Sequence, residues 1–269
     1  MNKVEKKMLE LLIRMKDSGC AVAVKAEFEA EGTRTDELLR LLDLTRRANL
    51  KFALKIGGCE AVRDLLEAKQ FGVDYIIAPM VETPYALEKY ILAKNKVFSK
   101  DELDNCKFLV NLETESGFKN KELMINSIGN DRIDGFVFGR VDFVLSQKKK
   151  RDTVEDEKTL ASILEVSKLC GENNYELVVG GSISSYSLEN LKKIEKVFLS
   201  RFETRKIVFD SKSLYNKEIE RSLLDAVHFE LLWLINKKNY YKLITQEDDK
   251  RIEMLEARWN VLKNNNDVL

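Results

Sequence analysis

Two acidic residues carry the clearest chemistry in the chain. Glu113 ends the apolar run KFLVNLE, and Asp142 lies just past the run IDGFVFGR. One helical segment separates the two runs. In a parallel α/β barrel both strand ends open onto one face, where active sites are built. Two carboxylates meeting there suit a hard divalent cation held by oxygen. The chain has a single histidine, so an all-oxygen shell of Mg2+ or Mn2+ is expected rather than a histidine-built zinc site.

Strand alternation adds neighbours to this pair, because residues two apart share a face. Asn111 shares the parity of Glu113. Lys25, Glu27 and Glu29 oppose Val22, Val24 and Phe28, and Lys51 and Lys55 oppose Phe52, Leu54 and Ile56. Unpaired charges are not buried, so the polar face of each strand is expected to look into the barrel mouth and the apolar face to pack on helices. Salt bridges that close the barrel are the structural alternative. Glu27 or Glu29 is a candidate base if its pKa is raised by the pocket. Lys25 or Lys55 among apolar walls and other cations is a candidate Schiff-base nucleophile.

Weaker signals surround these. VVGGSISS (178–185) offers a glycine loop leading towards a helix, suited either to phosphate or to a tight turn. In SRFETRK, Arg201, Glu203 and Arg205 follow a strand and are candidates for the mouth, with Arg201 expected to bind substrate. KKKRD (148–152) reads as a solvated loop or a basic lid over an anion. Glu82 is a candidate supporting acid, and Glu115 a first-turn carboxylate favoured by the helix dipole. His228 lies in the apolar stretch SLLDAVHFELLWLI, where a structural role is expected.

The elements that must position these residues alternate along the chain. CAVAVKAEFE, KFALKIGG, VDYIIAPM, KFLVNLE, IDGFVFGR, YELVVGG and KVFLSRF read as short strands. TDELLRLLDLTRRA, CEAVRDLLEAKQFG, PYALEKYILAK, DEKTLASILEVSKLCGE and SLENLKKI read as amphipathic helices between them. Repeated βα units argue for a parallel sheet, and seven of them for a (β/α)8 TIM-type barrel, with a doubly wound sheet as the alternative. KIVFD (206–210) follows the seventh strand too closely for a parallel crossover. It is an antiparallel addition, a helix start, or a strand in unusual order. The barrel with its N-terminal helix is assigned to residues 1–215. A helical extension, 216–269, is expected as two segments, Lys217 to Lys238 and Gln246 to Lys263. The first carries the stripe Ile219, Leu223, Val227, Leu231, Leu234 and Ile235 to pack on the barrel or a partner subunit.

Composition bounds the class. The 269 residues are 44% hydrophobic, enough for one large barrel, and the 45 basic residues balance the 45 acidic ones. Zero net charge gives no reason to expect nucleic acid or an acidic membrane. No apolar run approaches the ~18 residues of a membrane span. The charged N-terminus is not a secretory signal, and four separated cysteines with no CxxC pair suit a reduced, cytoplasmic protein.

LETESGFKN followed by IDGFVFGRVDF resembles the paired motif of the HpcH/HpaI aldolase and citrate lyase β-subunit family, and LKIGGCEAVRDLLEAKQFGVDYIIAPMVETPYAL is similar to the segment before it. The resemblance spans about Ala21 to Phe209. It implies a pyruvate/phosphoenolpyruvate-type barrel that binds Mg2+ or Mn2+ and a 2-oxo acid or acyl-CoA. By that resemblance Glu113 and Asp142 match the metal ligands and Gly139 the glycine of the metal loop. Three positions depart from it. Lys55 stands where the family's substrate arginine is, keeping the charge but losing the bidentate fork. KAEFEAEG has no histidine base. Arg140 replaces a proline and adds a cation suited to a substrate phosphate or carboxylate.

The expected function is a divalent-metal-dependent carbon–carbon lyase or aldolase, in a homo-oligomer. Glu113 and Asp142 would ligate, Lys55, Arg140, Arg201 and Gly139 would hold substrate, and Lys55 with Glu27 or Glu29 would serve the chemistry. A Schiff-base lysine aldolase and a non-catalytic binding or scaffold barrel are the alternatives.

Overall fold

The computed structural model describes residues 1–129 and 131–266. Its centre is a closed barrel of eight strands in chain order: β1 (Ala21–Glu27), β2 (Lys51–Lys55), β3 (Tyr75–Ala78), β4 (Lys107–Leu112), β5 (Gly135–Gly139), β6 (Glu176–Gly180), β7 (Arg201–Glu203) and β8 (Ile207–Asp210). The first seven pair parallel, as the alternating pattern requires. The TIM-type barrel expected from the sequence is therefore present, with a departure in its last unit. β8 returns directly from β7 and pairs antiparallel with both β7 and β1. The short KIVFD connection thus closes the barrel as a hairpin. The β7–β8 turn sits at the mouth and Asp210 at the opposite end.

Strand alternation sorts the core. Ala23, Ala53, Ile77, Leu109, Val137, Val178 and Val208 fill the barrel interior. The opposite parity, including Val24, Phe52, Ile76, Phe108, Phe138, Val179 and Phe209, packs on the surrounding helices. Those helices are α1 (Lys3–Asp17), α2 (Thr35–Arg47), α3 (Val62–Phe71), α4 (Pro84–Val97), α5 (Glu115–Ser127), α6 (Arg140–Ser146), α7 (Glu157–Glu172), α8 (Leu188–Glu195) and α9 (Ile219–Asn266).

Local chemistry sets their starts. Asn2 and Glu5 form a capping box on α1, whose Met8, Leu11, Leu12 and Met15 are buried at helical spacing. Thr83 caps α4, with Pro84 at its first position. Thr114 caps α5 by accepting the Gly117 N–H, so the residue after Glu113 already begins the next helix.

Four expectations are corrected here. The seventh strand begins at Arg201, because 196–198 complete the turn out of α8 through Val197 and Phe198 N–H bonds to Ile194 O. The C-terminal extension is one helix of 48 residues rather than two. Its polar middle, KKNYYKLITQEDDK, has no proline or glycine to stop a helix. α9 runs antiparallel to α1, joined by Ser18–Ser222, a bidentate Arg14–Asp225 pair and Asn2–Asn236. It buries Ile219, Leu223, Ala226, Phe229 and Trp233, whereas Val227, Leu231, Leu234 and Ile235 of the expected stripe are exposed. His228 is exposed as well and takes no part in the core.

Among the described residues no helix is long and apolar enough to cross a membrane. All four cysteines are free, and burial pushes the Cys106 and Cys170 thiols up to about 12.

Candidate functional site

The C-terminal ends of the strands enclose a cavity of about 860 Å³. Its walls carry Lys25, Glu27 and Glu29 from β1 and its loop, Lys55 from β2, and Asn111 and Glu113 from β4. Gly139, Asp142, the Gly180–Ser182 loop, Glu203 and Arg205 complete the ring. Glu113 and Asp142 thus meet in one cavity, as do Lys55, Glu27, Glu29 and Gly139.

Glu113 is the best-held carboxylate. Its Oε1 accepts the Met80 N–H at 3.2 Å, and its Oε2 accepts Asn111 Nδ2 at 2.5 Å and Lys55 Nζ at 3.3 Å. Burial pushes its carboxyl above the ordinary range, and Asp142 adds to this; Lys55 and the two amide donors only partly offset it. Asp142 lies in the first turn of α6, is exposed, and has no ion-pair partner among the described residues. Gly139 gives Glu113 its place. A Cβ at 139 would lie 2.8 Å from Glu113 Cβ and 3.0 Å from Oε2. Gly180 does the same for Glu203, whose Cγ would meet a Cβ there at 3.0 Å.

The lysines are ion-paired. Lys25 Nζ sits between Glu203 and Glu27, the latter at 3.2 Å. Lys55 Nζ sits 2.9 Å from Glu29 and 3.3 Å from Glu113. Burial pulls both ammonium groups down, but the carboxylates outweigh it and raise both above their ordinary values. Both are therefore held protonated, the wrong state for a Schiff-base nucleophile. Burial likewise pushes the Glu27 carboxyl up, yet Lys25 and Lys55 outweigh it and hold it below its usual range. The raised pKa expected of a base is absent at Glu27. Glu29 is the more open of the two, with 31% of its side chain exposed.

Two expected substrate residues lie elsewhere. Arg140 is only 1% exposed. It donates to Gly181 O through Nε and Nη2 at 3.0 and 2.8 Å, and to Glu155 at 2.8 Å. The guanidinium is committed to fixing the Gly180–Ser182 loop and does not reach the cavity. Arg201 opens β7 rather than ending it, which places it at the far end of the barrel. There it pairs with Glu176 at 2.6 Å and stacks over Tyr75 at 4.3 Å. Arg201 thus closes the far end of the barrel as half of an ion pair.

The remaining signals find partial places. In VVGGSISS, Gly181 has φ +89° and turns the loop under the backbone of Arg140 and Val141. Of KKKRD, Arg151 lines the cavity and donates to Ser182 Oγ. Glu82 accepts from Thr114 Oγ1 and so steadies the α5 cap beside Glu113. Glu115 pairs with Lys119 along α5. At the rim, Arg205 and Lys206 of the β7–β8 turn both clamp Glu31.

Sequence reasoning missed Val227 and Glu230 of α9 as cavity residues. Only the path of α9 past the mouth reveals them. Asn111 had a signal, its shared parity with Glu113. It is 5% exposed, and its Oδ1 is buried without a partner among the described residues.

Charge counts decide what the cavity favours. Four cationic side chains (Lys25, Lys55, Arg151, Arg205) face six carboxylates (Glu27, Glu29, Glu113, Asp142, Glu203, Glu230). Arg205 is already paired with Glu31 outside the lining, so the cavity holds more carboxylates than free cations, which suits a cation. Among the described residues no cluster of three His, Cys, Asp or Glu side chains is arranged to hold a metal. Two carboxylates with the remaining positions left to water or substrate is nonetheless a usual Mg2+ arrangement, so the donor set fits such an ion.

No family model and no curated protein matches the chain. Solved structures do. An HpcH/HpaI aldolase from Desulfitobacterium hafniense DCB-2 superposes with TM-score 0.58, covering 73% of this chain and 82% of its own, at 9% identity. An HpcH/HpaI aldolase/citrate lyase family protein from Burkholderia cenocepacia J2315 gives 0.56 over 85% and 100%, at 11% identity. RipC from Yersinia pestis gives 0.51 over 78% and 88%, at 14% identity. At such identities the likeness is one of fold. The chain has the barrel architecture of the HpcH/HpaI aldolase and citrate lyase proteins, the fold implied by its LETESGFKN and IDGFVFGRVDF segments.

Proposed function

We propose that the chain is a carbon–carbon lyase of the aldolase/citrate lyase type, acting on a 2-oxo acid or acyl-CoA with a Mg2+ or Mn2+ ion held by Glu113 and Asp142. The observation that carries this reading is that these carboxylates, one just past β4 and one in the first turn of α6, line one cavity that holds more carboxylates than cations. A bound divalent ion would supply Lewis-acid stabilisation to negative charge developing on a substrate oxygen.

The chain's own residues do the rest. Lys55 stays charged because Glu113 and Glu29 face it, so it can exchange Glu29 for an incoming substrate carboxylate. Glu29, released by that exchange and open to the cavity, is positioned to carry the proton. Glu27 stays bound to Lys25 and shapes the wall. Asn111 orients Glu113 through its Nδ2.

A second reading, a binding or scaffold barrel, is favoured by one observation. Lys25 and Lys55 are already neutralised by carboxylates of the same chain. Thermal shift separates the two readings. Mg2+ and Mn2+ are crossed with pyruvate, oxaloacetate, phosphoenolpyruvate and short acyl-CoAs. A lyase of this type shows metal and ligand each raising the melting temperature more in the other's presence. No shift with any combination supports the scaffold.

A further inference from the structure

The outward face of α9 carries a second pattern, independent of the cavity chemistry. Leu224, Val227, Leu231 and Leu234 are 64%, 61%, 54% and 53% exposed. They recur every three and four residues, the a and d positions of a heptad. Beyond Tyr241 the helix leaves the barrel, and each side chain from 242 to 261 is exposed. In that free stretch Ile252, Leu255 and Trp259 are 52%, 45% and 65% exposed and continue the same heptad register. Between the two apolar blocks the seam positions turn polar, with Lys238 and Asp248 among them. Neither has an ion-pair partner among the described residues.

We propose that this seam is covered by α9 of a second copy of the chain, running antiparallel. With the two helices centred on residue 243, Val227 meets the partner's Trp259, Leu231 the partner's Leu255, and Leu234 the partner's Ile252. In the same register Lys238 meets the partner's Asp248. Two-fold symmetry makes each contact twice. One register thus joins apolar to apolar and basic to acidic. In-register parallel pairing instead sets lysine on lysine and aspartate on aspartate. The apolar block over 224–234 has its other face against α1, so the seam is open without moving the barrel. Because Val227 and Glu230 also line the cavity, the partner helix runs beside the mouth of each barrel.

Sedimentation velocity of the full chain tests this. The wild type is expected to be a dimer at about 50 µM chain. Leu231→Glu and Leu255→Glu are each expected to be monomeric, since each places a carboxylate in the seam. Lys238→Asp and Asp248→Lys alone each weaken the dimer about tenfold or more, and the double variant returns to near wild-type affinity. All these positions are exposed, so far-UV circular dichroism should remain that of the folded wild type. Should Leu231→Glu or Leu255→Glu unfold, the charge set decides alone. A monomeric wild type, a dimer unchanged by Leu255→Glu, or single charge variants that dimerise like wild type would each overturn the antiparallel seam.

Discussion

Glu113 stands in the barrel mouth because residue 139 has no side chain: a Cβ there would come within 2.8 Å of Glu113 Cβ and 3.0 Å of its Oε2. The neighbouring strands β4 and β5 are in register across this contact, with Leu112 opposite Phe138. Gly139→Ala should therefore push Glu113 out of place. Overpacking of this kind costs about 1–3 kcal/mol, measurable by urea unfolding. The same variant should bind Mn2+ more weakly than wild type by calorimetry. Unchanged stability and unchanged Mn2+ affinity together would show that Glu113 has freedom the packing denies it.

Glu113 itself should oppose folding at neutral pH. Its folded carboxyl lies above the unfolded value of 4.5 because burial outweighs Lys55. A raised acid binds its proton more tightly when folded, so its contribution is fully present below pH 4.5 and is lost as pH rises through the folded value. Glu113→Gln removes this penalty. The metal-free variant should be more stable than wild type at pH 8, with the gain vanishing towards pH 4.5. Paired thermal melts across that range check the sign, and a variant less stable than wild type at pH 8 would contradict it.

Glu5 should show the opposite dependence. Arg40 and the Asn2 and Asn236 contacts outweigh burial and hold its carboxyl down at about 2. Its stabilisation is present above pH 4.5 and is lost as pH falls through about 2. Glu5 ties α1 to α2 and, through Asn236, to α9. Glu5→Gln should cost about 1–2 kcal/mol at pH 7, discounted because Arg40 is 38% exposed. The cost should shrink in denaturant melts at pH 3.

Arg140 is a structural clamp, and its removal should be felt in stability first. Arg140→Ala leaves Glu155 half-buried and Gly181 O without its two donors, at a cost of about 3 kcal/mol. Arg140→Lys should recover only part, because an ammonium cannot bridge the two acceptors as the planar fork does. Chemical denaturation distinguishes the three proteins. A fully stable Arg140→Ala would return this side chain to the candidates for ligand binding.

The barrel and the Glu113–Asp142 pair were legible because both depend on short-range rules. Period-two alternation separates Val24 and Phe52 from Lys25 and Lys55, and each strand end delivers its last polar residue to one face. Three features depended on longer-range facts. Arg201 looked like the end of a strand only while that strand was read from Lys196. With β7 starting at Arg201, the same residue moves to the far end of the barrel. Arg140 directly follows β5, but only the position of the Gly180–Ser182 loop shows that its side chain turns away from the mouth. α9 hid its continuity in the polar run 237–250, which reads as a break when nothing marks the barrel it leaves. Its exposed seam at Leu231 and Leu255 likewise becomes visible only once Phe229 and Trp233 are seen to occupy the inner face.

Equilibrium Mn2+ binding, followed by electron paramagnetic resonance of the free ion, tests the central claim most directly. One ion per chain should bind to wild type, and either Glu113→Gln or Asp142→Asn should weaken it at least tenfold, while Arg201→Lys, at the far end of the barrel, leaves it unchanged. Binding of Mn2+ with equal affinity to wild type and to the Glu113→Gln/Asp142→Asn double variant would contradict the assignment of these two carboxylates.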